Sequence, residues 1–125
     1  MTTTALILAV GACNASYLGP ESLPGDINEG MAAYYADSLQ GKKTASGEPY
    51  DKNKITAAHR TLPFGTLVRV TSMVNRRSVE VRINDRGPYS DKDRIIDLSR
   101  KAAERLDMIQ SGVIPVRIEI VSMPK

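Results

Sequence analysis

Residues 66–85 read TLVRVTSMVNRRSVEVRIND. Two alternating stretches flank a polar link. Val68 and Val70 alternate with Leu67, Arg69 and Thr71, and Val79, Val81 and Ile83 alternate with Glu80, Arg82 and Asn84. A period of two marks a strand with one buried face. Asn75-Arg76-Arg77 supplies the hairpin link. Working outward, Leu62-Pro63-Phe64-Gly65 turns into the strand Thr66–Thr71. On the other side, Asp85–Arg94 is a charged Gly/Pro loop, and Ile95–Leu98 is a short strand. Ser99 is placed to cap a helix over Arg100–Asp107, with Ala102, Ala103 and Leu106 on one face and Gly112 as a stop. Val116, Ile118 and Ile120 alternate with Arg117 and Glu119 in a last strand, and Met31–Ala36 suits a first one. Gly41–Asp51 reads as a loop. Five or six short strands and one short helix predict a mainly β chain closing into a small barrel.

The length of 125 residues fits one domain, and 42% apolar with 25% charged residues is ordinary for a globular chain. One cysteine excludes an internal disulfide and a multi-Cys zinc site. One histidine excludes HExxH and other multi-His motifs, so no metal and no cofactor are expected. The net charge of +3 is unevenly spread. Residues 1–29 hold Glu21, Asp26 and Glu29 and no base, for −3. The rest holds all 17 bases and the other 11 acids, for +6. A basic domain favours a polyanion: nucleic acid, an anionic membrane surface or an acidic wall polymer.

The N-terminus reads as an address. Ala5–Ala12 is an apolar run of eight ending at Cys13. It is too short to span a bilayer, which needs ~20 residues, and suits the h-region of an export signal. Val10-Gly11-Ala12-Cys13 resembles a bacterial lipobox, although no Lys or Arg precedes the run. Residues 1–13 are expected to be a signal with Cys13 lipidated, and 14–29 a flexible tether. Residues 30–125 are expected to form the barrel.

Few side chains can do chemistry. His59 is the sole imidazole. Asp85 ends a strand beside Arg86-Gly87-Pro88, and Glu48 lies in the loop Gly47-Glu48-Pro49. Asp97, between Ile96 and Leu98, reads as half of a structural ion pair with a nearby arginine. Ser46, Ser99 and Cys13 lack an activated setting such as GxSxG. Carboxylate acid/base chemistry remains, which suits a glycosidic bond.

Five motifs fall in order: Gly30–Ala36 (GMAAYYA), Gly41–Asp51 (GKKTASGEPYD), Thr56–Gly65 (TAAHRTLPFG), Val81–Pro88 (VRINDRGP) and Arg94–Ser99 (RIIDLS). Together they resemble the bacterial rare lipoprotein A (RlpA) family. The resemblance implies a six-stranded double-psi β-barrel with one or two short helices, related to expansins. It implies a peptidoglycan lytic transglycosylase that cuts between N-acetylmuramic acid and N-acetylglucosamine and leaves a 1,6-anhydro end. The family's acid falls on Asp85, its loop glutamate on Glu48 and its histidine on His59. Tyr35, Tyr50, Tyr89 and Arg86 are the candidate glycan contacts. Tyr34 and Ala36 depart from the family's Trp and Gly. Many members add a C-terminal SPOR module; the chain stops at Lys125, so such targeting is expected to be absent or supplied by another protein. The expected partners are glycan strands, a membrane through lipidated Cys13, and cell-division proteins. The expected setting is a monomer on the periplasmic face of a bacterial membrane. Nucleic acid is disfavoured, because no aromatic-basic array occurs. A non-catalytic, expansin-like wall-binding module is the alternative.

Overall fold

The computed structural model describes residues 17–125. Residues 1–13, including Cys13, lie outside that range. Six strands form a closed barrel: β1 (Ile27–Tyr34), β2 (Thr56–Ala58), β3 (Leu67–Ser72), β4 (Ser78–Asp85), β5 (Arg94–Leu98) and β6 (Ile114–Ser122). Around the barrel the order is β1-β5-β2-β4-β3-β6. β1 pairs with β5 in parallel, and so does β2 with β4; the other pairs are antiparallel. Closure leaves no unpaired sheet edge.

The alternation seen in the sequence sets the inside. Val68, Val70, Val81, Ile83, Ile96, Leu98, Ile118 and Ile120 are all essentially inaccessible. Each such side chain contributes about 1.5–3 kcal/mol by leaving water. The Asn75-Arg76-Arg77 link turns with Arg76 at φ 66. Ser99 does cap the helix: its Oγ accepts the Ala102 N–H at 3.3 Å. The helix α1 (Arg100–Arg105) is shorter than expected and buries Ala102 and Ala103.

Two expectations change. β2 sits inside the TAAHRTLPFG motif and carries no alternation, because all three of its residues are buried. The barrel does not begin at Gly30. β1 starts at Ile27, Leu18 is 1% exposed within the core, and the Gly25 N–H donates to the Ile120 carbonyl at 2.8 Å. Residues from Leu18 onward are thus part of the folded unit rather than a flexible tether. They dock through one apolar anchor and backbone bonds, which leave no period in the sequence.

Candidate active site

Two register shifts build the site. In β4, Ala57 faces Ile83 while Ala58 faces Asp85, so Asn84 is an extra residue. Strict alternation would put Asp85 on the core face with Val79, Val81 and Ile83. The bulge re-aims it. In β5, Met31 faces Arg94 while Ala32 faces Ile96, so Ile95 is the extra residue. Asp97 then aligns with Ala33 on one side and Ala58 on the other. Residues in register project from the same face. Ala33, Asp97, Ala58 and Asp85 therefore form one row across four strands, opposite the core-facing Ala32, Ile96, Leu98, Ala57 and Ile83. Two alanines keep the space beside the carboxylates low. The Cα atoms of Asp85 and Asp97 are two strand spacings apart, about 10 Å.

The two carboxylates differ in their surroundings. Asp85 accepts from donors on three elements. Tyr35 donates its phenol at 2.5 Å to Oδ2, and the Ala45 and Arg86 N–H groups each donate at 2.8 Å to Oδ1. Asp97 Oδ1 is buried and has no partner among the described residues. Burial pushes the Asp97 carboxyl above the usual carboxylate range, and the Asp85 charge adds to this; Arg94 and Arg60 oppose it without forming an ion pair. The expected structural ion pair at Asp97 is therefore corrected. Burial beside a second carboxylate favours the protonated form of Asp97, which suits a proton donor.

Glu48 does not bond to Asp85. Its carboxylate takes a fork from Arg82 at 2.9 and 3.2 Å, and the Asn84 amide at 2.7 Å. These bonds, Arg82 first, hold it below the usual carboxylate range. Glu48 thus latches the 44–50 loop onto β4, and the same loop supplies the Ala45 N–H to Asp85. For the activity that the family resemblance implies, Glu48→Ala is expected to cost on the order of 10²-fold in turnover through lost positioning. Arg82→Ala should do the same. The double variant should be no worse than either single one, which a double-mutant cycle on purified protein checks.

His59 is 5% exposed. Its Nδ1 accepts from the Thr61 and Leu62 N–H groups, both at 3.1 Å, so it organises its own turn. Its backbone N–H donates to the Asp85 carbonyl at 3.1 Å. The ring bonds neither Asp85 nor Asp97 among the described residues, and it is the main chain of His59 that holds the strand end. Burial, with Arg86 and Arg60 adding, pushes the ring down to about 4. The unfolded chain therefore binds this proton more readily than the folded one. Stability is full above the unfolded value of ~6.5 and is lost as pH falls through 4, by about 3 kcal/mol from this group. Urea unfolding at pH 7 and pH 4 should show that loss. His59→Asn, which can keep an acceptor at the Nδ1 position, should lose much of the acid sensitivity.

The four candidate glycan contacts separate. Tyr50 is 2% exposed, stacks on Tyr35 at 4.4 Å and accepts the Arg100 N–H at 3.0 Å. It supports Tyr35 and offers no face to a sugar. Tyr35 holds Asp85, and burial, then that bond, keeps its phenol well above the usual range. Arg86 lies over Phe64 at 4.1 Å and donates to the carbonyls of His59 and Leu62, so it points into structure. Tyr89 is 73% exposed and free to meet a ring. Among the described residues, no three His, Cys, Asp or Glu side chains converge to hold a metal.

A closed six-stranded barrel with this mixed pairing, and with two carboxylates in one row opposite its core-facing side chains, defines a double-psi β-barrel. Known proteins place it further. The chain belongs to the lytic transglycolase family, whose model matches residues 27–118. It is 50% identical over 97 residues to the endolytic peptidoglycan transglycosylase RlpA of Campylobacter jejuni, covering 78% of this chain and 35% of that protein. It is 56% identical over 92 residues to a probable RlpA of Treponema pallidum, covering 74% and 29%. The chain thus spans about a third of the length of these relatives. Among solved structures, it is similar to a Streptomyces papain inhibitor (TM-score 0.63, 28% identity, 78% of this chain and 96% of that one). In fold alone it is similar to an expansin of Clavibacter michiganensis (TM-score 0.61, 24% identity, 79% and 52%).

Proposed function

We propose that this barrel is a lytic transglycosylase acting on peptidoglycan glycan strands. The observation that carries the reading is the half-buried Asp97, whose Oδ1 is buried and unpartnered among the described residues, set across Ala58 from Asp85. Asp97 donates its proton to the oxygen that links muramyl C1 to glucosaminyl C4. The C1–O bond breaks, and positive charge grows at C1. Asp85, fixed by Tyr35, Ala45 and Arg86, faces that charge as a carboxylate. The muramyl 6-hydroxyl then attacks C1, and its proton passes to the ionised Asp97. The products are a free glucosaminyl 4-hydroxyl and a 1,6-anhydromuramyl end; no water is consumed and Asp97 is restored. The family resemblance puts the acid on Asp85; the buried, unpartnered Asp97 Oδ1 supports giving the proton-carrying role to Asp97 instead. Tyr89 is the candidate platform for a neighbouring sugar ring. Lipidation of Cys13 would hold the barrel at the cell envelope, where wall remodelling and daughter-cell separation need this cut.

The test is to incubate the full chain with sacculi and with strands stripped of stem peptides. Mass spectrometry should find 1,6-anhydromuramyl products from at least one substrate. Wall binding without any cleavage product would favour the expansin-like alternative.

A further inference from the structure

The crossover over residues 86–93 joins β4 to β5, the two strands that carry the carboxylates. β2 lies between these strands in the barrel, parallel to β4 and antiparallel to β5. The end of β4, the end of β2 and the start of β5 therefore share one end of the barrel. The crossover has to pass over the end of β2 at Ala58. Arg60 stands two residues beyond Ala58 and meets the crossover there. Its Nε donates to the Pro88 carbonyl at 2.5 Å. Its Nη2 donates to the carbonyls of Asp91 and Arg94 at 2.7 and 2.8 Å. One planar cation thus holds the crossover near its start, at its turn and at its end. Bonds from a charged donor are the stronger kind.

Packing does not hold this segment, since residues 89–93 are all exposed. Its other ties are the Met31 N–H to the Asp93 carbonyl at 2.8 Å, the Arg94 N–H to the Asp91 carbonyl at 3.2 Å and the Asp93 N–H to the Asp91 carboxylate at 2.9 Å. None of these reaches Tyr89. The Pro88 carbonyl belongs to the peptide that carries Tyr89, so the Arg60 bond sets where that ring stands. A loop that must be ordered on binding weakens affinity, because ordering costs entropy. We propose that Arg60 is a positioning residue for glycan binding: it clamps the crossover so that Tyr89 is held in one place between the two carboxylate strands. Lysine cannot replace it, because a single ammonium does not span three carbonyls that a rigid fork reaches. The proposal rests on the glycan reading above and deepens it: the ring contact at Tyr89 depends on a residue that itself touches no sugar.

The test compares the full chain with Arg60→Lys, Tyr89→Ala and the double variant. Binding of fluorescently labelled, peptide-stripped glycan strands is read by anisotropy. Arg60→Lys should weaken binding about tenfold, and Tyr89→Ala by about the same factor. In the Tyr89→Ala background the lysine should add less than about twofold, since its effect runs through that ring. In cleavage the loss from Arg60→Lys should fall on KM, with kcat within about threefold. Amide exchange at Arg94, whose N–H shares the Asp91 carbonyl with Arg60, should quicken by on the order of tenfold in Arg60→Lys, with β3 unchanged. Full affinity in either single variant, additive costs in the double variant, a loss confined to kcat, or unchanged Arg94 exchange overturns the proposal. Should Arg60→Lys not fold, ¹⁵N relaxation of the wild-type chain decides. Order parameters of about 0.85 at residues 89–93 are expected, and values falling toward ~0.6 overturn the clamp. A wild-type chain that releases no anhydro products removes the enzyme reading and leaves the binding contrasts standing. Cleavage with undiminished affinity in Arg60→Lys removes the clamp only.

Discussion

Asp97→Asn is expected to abolish glycan cleavage, by about 10³-fold in kcat, while the protein becomes more stable at pH 7. The first part follows from losing the proton donor, since general acid catalysis supplies ~10²–10⁴-fold. The second follows from the sign of the linkage. Burial raises the Asp97 carboxyl in the folded state, so the folded chain binds that proton more tightly than the unfolded chain. Stability then falls as pH rises from the unfolded value toward the folded one, and stays lower above it. Asparagine carries no charge to bury beside Asp85. A gain of about 1 kcal/mol, worth roughly 3–5 °C in Tm for a domain of a little over 100 residues, is the expected scale. Thermal unfolding and product release, measured on one preparation, separate this from damage to the fold. A loss of activity accompanied by a lower Tm at pH 7 would count against it. At pH 3, where both states hold the proton, the difference in stability should close.

Asp85→Asn is expected to cost about 10²–10³-fold in kcat with little change in KM. The carboxylate accepts from three donors. An amide in its place presents an NH₂ to at least one of them, and the negative charge facing C1 is gone. The pH profile gives a second readout. Activity needs Asp97 protonated, so it falls as pH rises through the Asp97 range. The Asp85 charge helps to hold Asp97 up. Removing it should move the alkaline limb of the residual activity to lower pH. Tyr35→Phe should lower kcat less, since Ala45 and Arg86 still hold Oδ1. An alkaline limb that stays in place in Asp85→Asn would separate the two carboxylates and break the account of their coupling.

The barrel was legible because burial imposes period two on β3, β4 and β6, and residues 66–85 show it directly. β2 was not, because three buried residues of a crowded strand show no alternation. Asp85 was legible as a strand-end carboxylate, yet its direction was not. The bulge at Asn84 turns it outward, and a bulge depends on the pairing of two strands distant in the chain. Asp97 carried its signal openly: a carboxylate alternating with Ile96 and Leu98 must leave the core face. What the sequence could not show was that no arginine meets it. Glu48 and Tyr50 lie in one motif, but their work is support. Arg82 and Asn84 claim the first, and the Tyr35 ring with the Arg100 N–H claims the second. Such roles follow from contacts across the barrel rather than from neighbours in sequence.

In the proposed reaction a carboxyl on Asp97 drives an attack by the sugar's own hydroxyl. Digesting peptide-stripped glycan strands in ¹⁸O-labelled water tests it most directly. Products lighter by one water and free of label at the new muramyl end are expected from the wild-type chain, and none from Asp97→Asn. Labelled reducing ends, or undiminished release by Asp97→Asn, would contradict it.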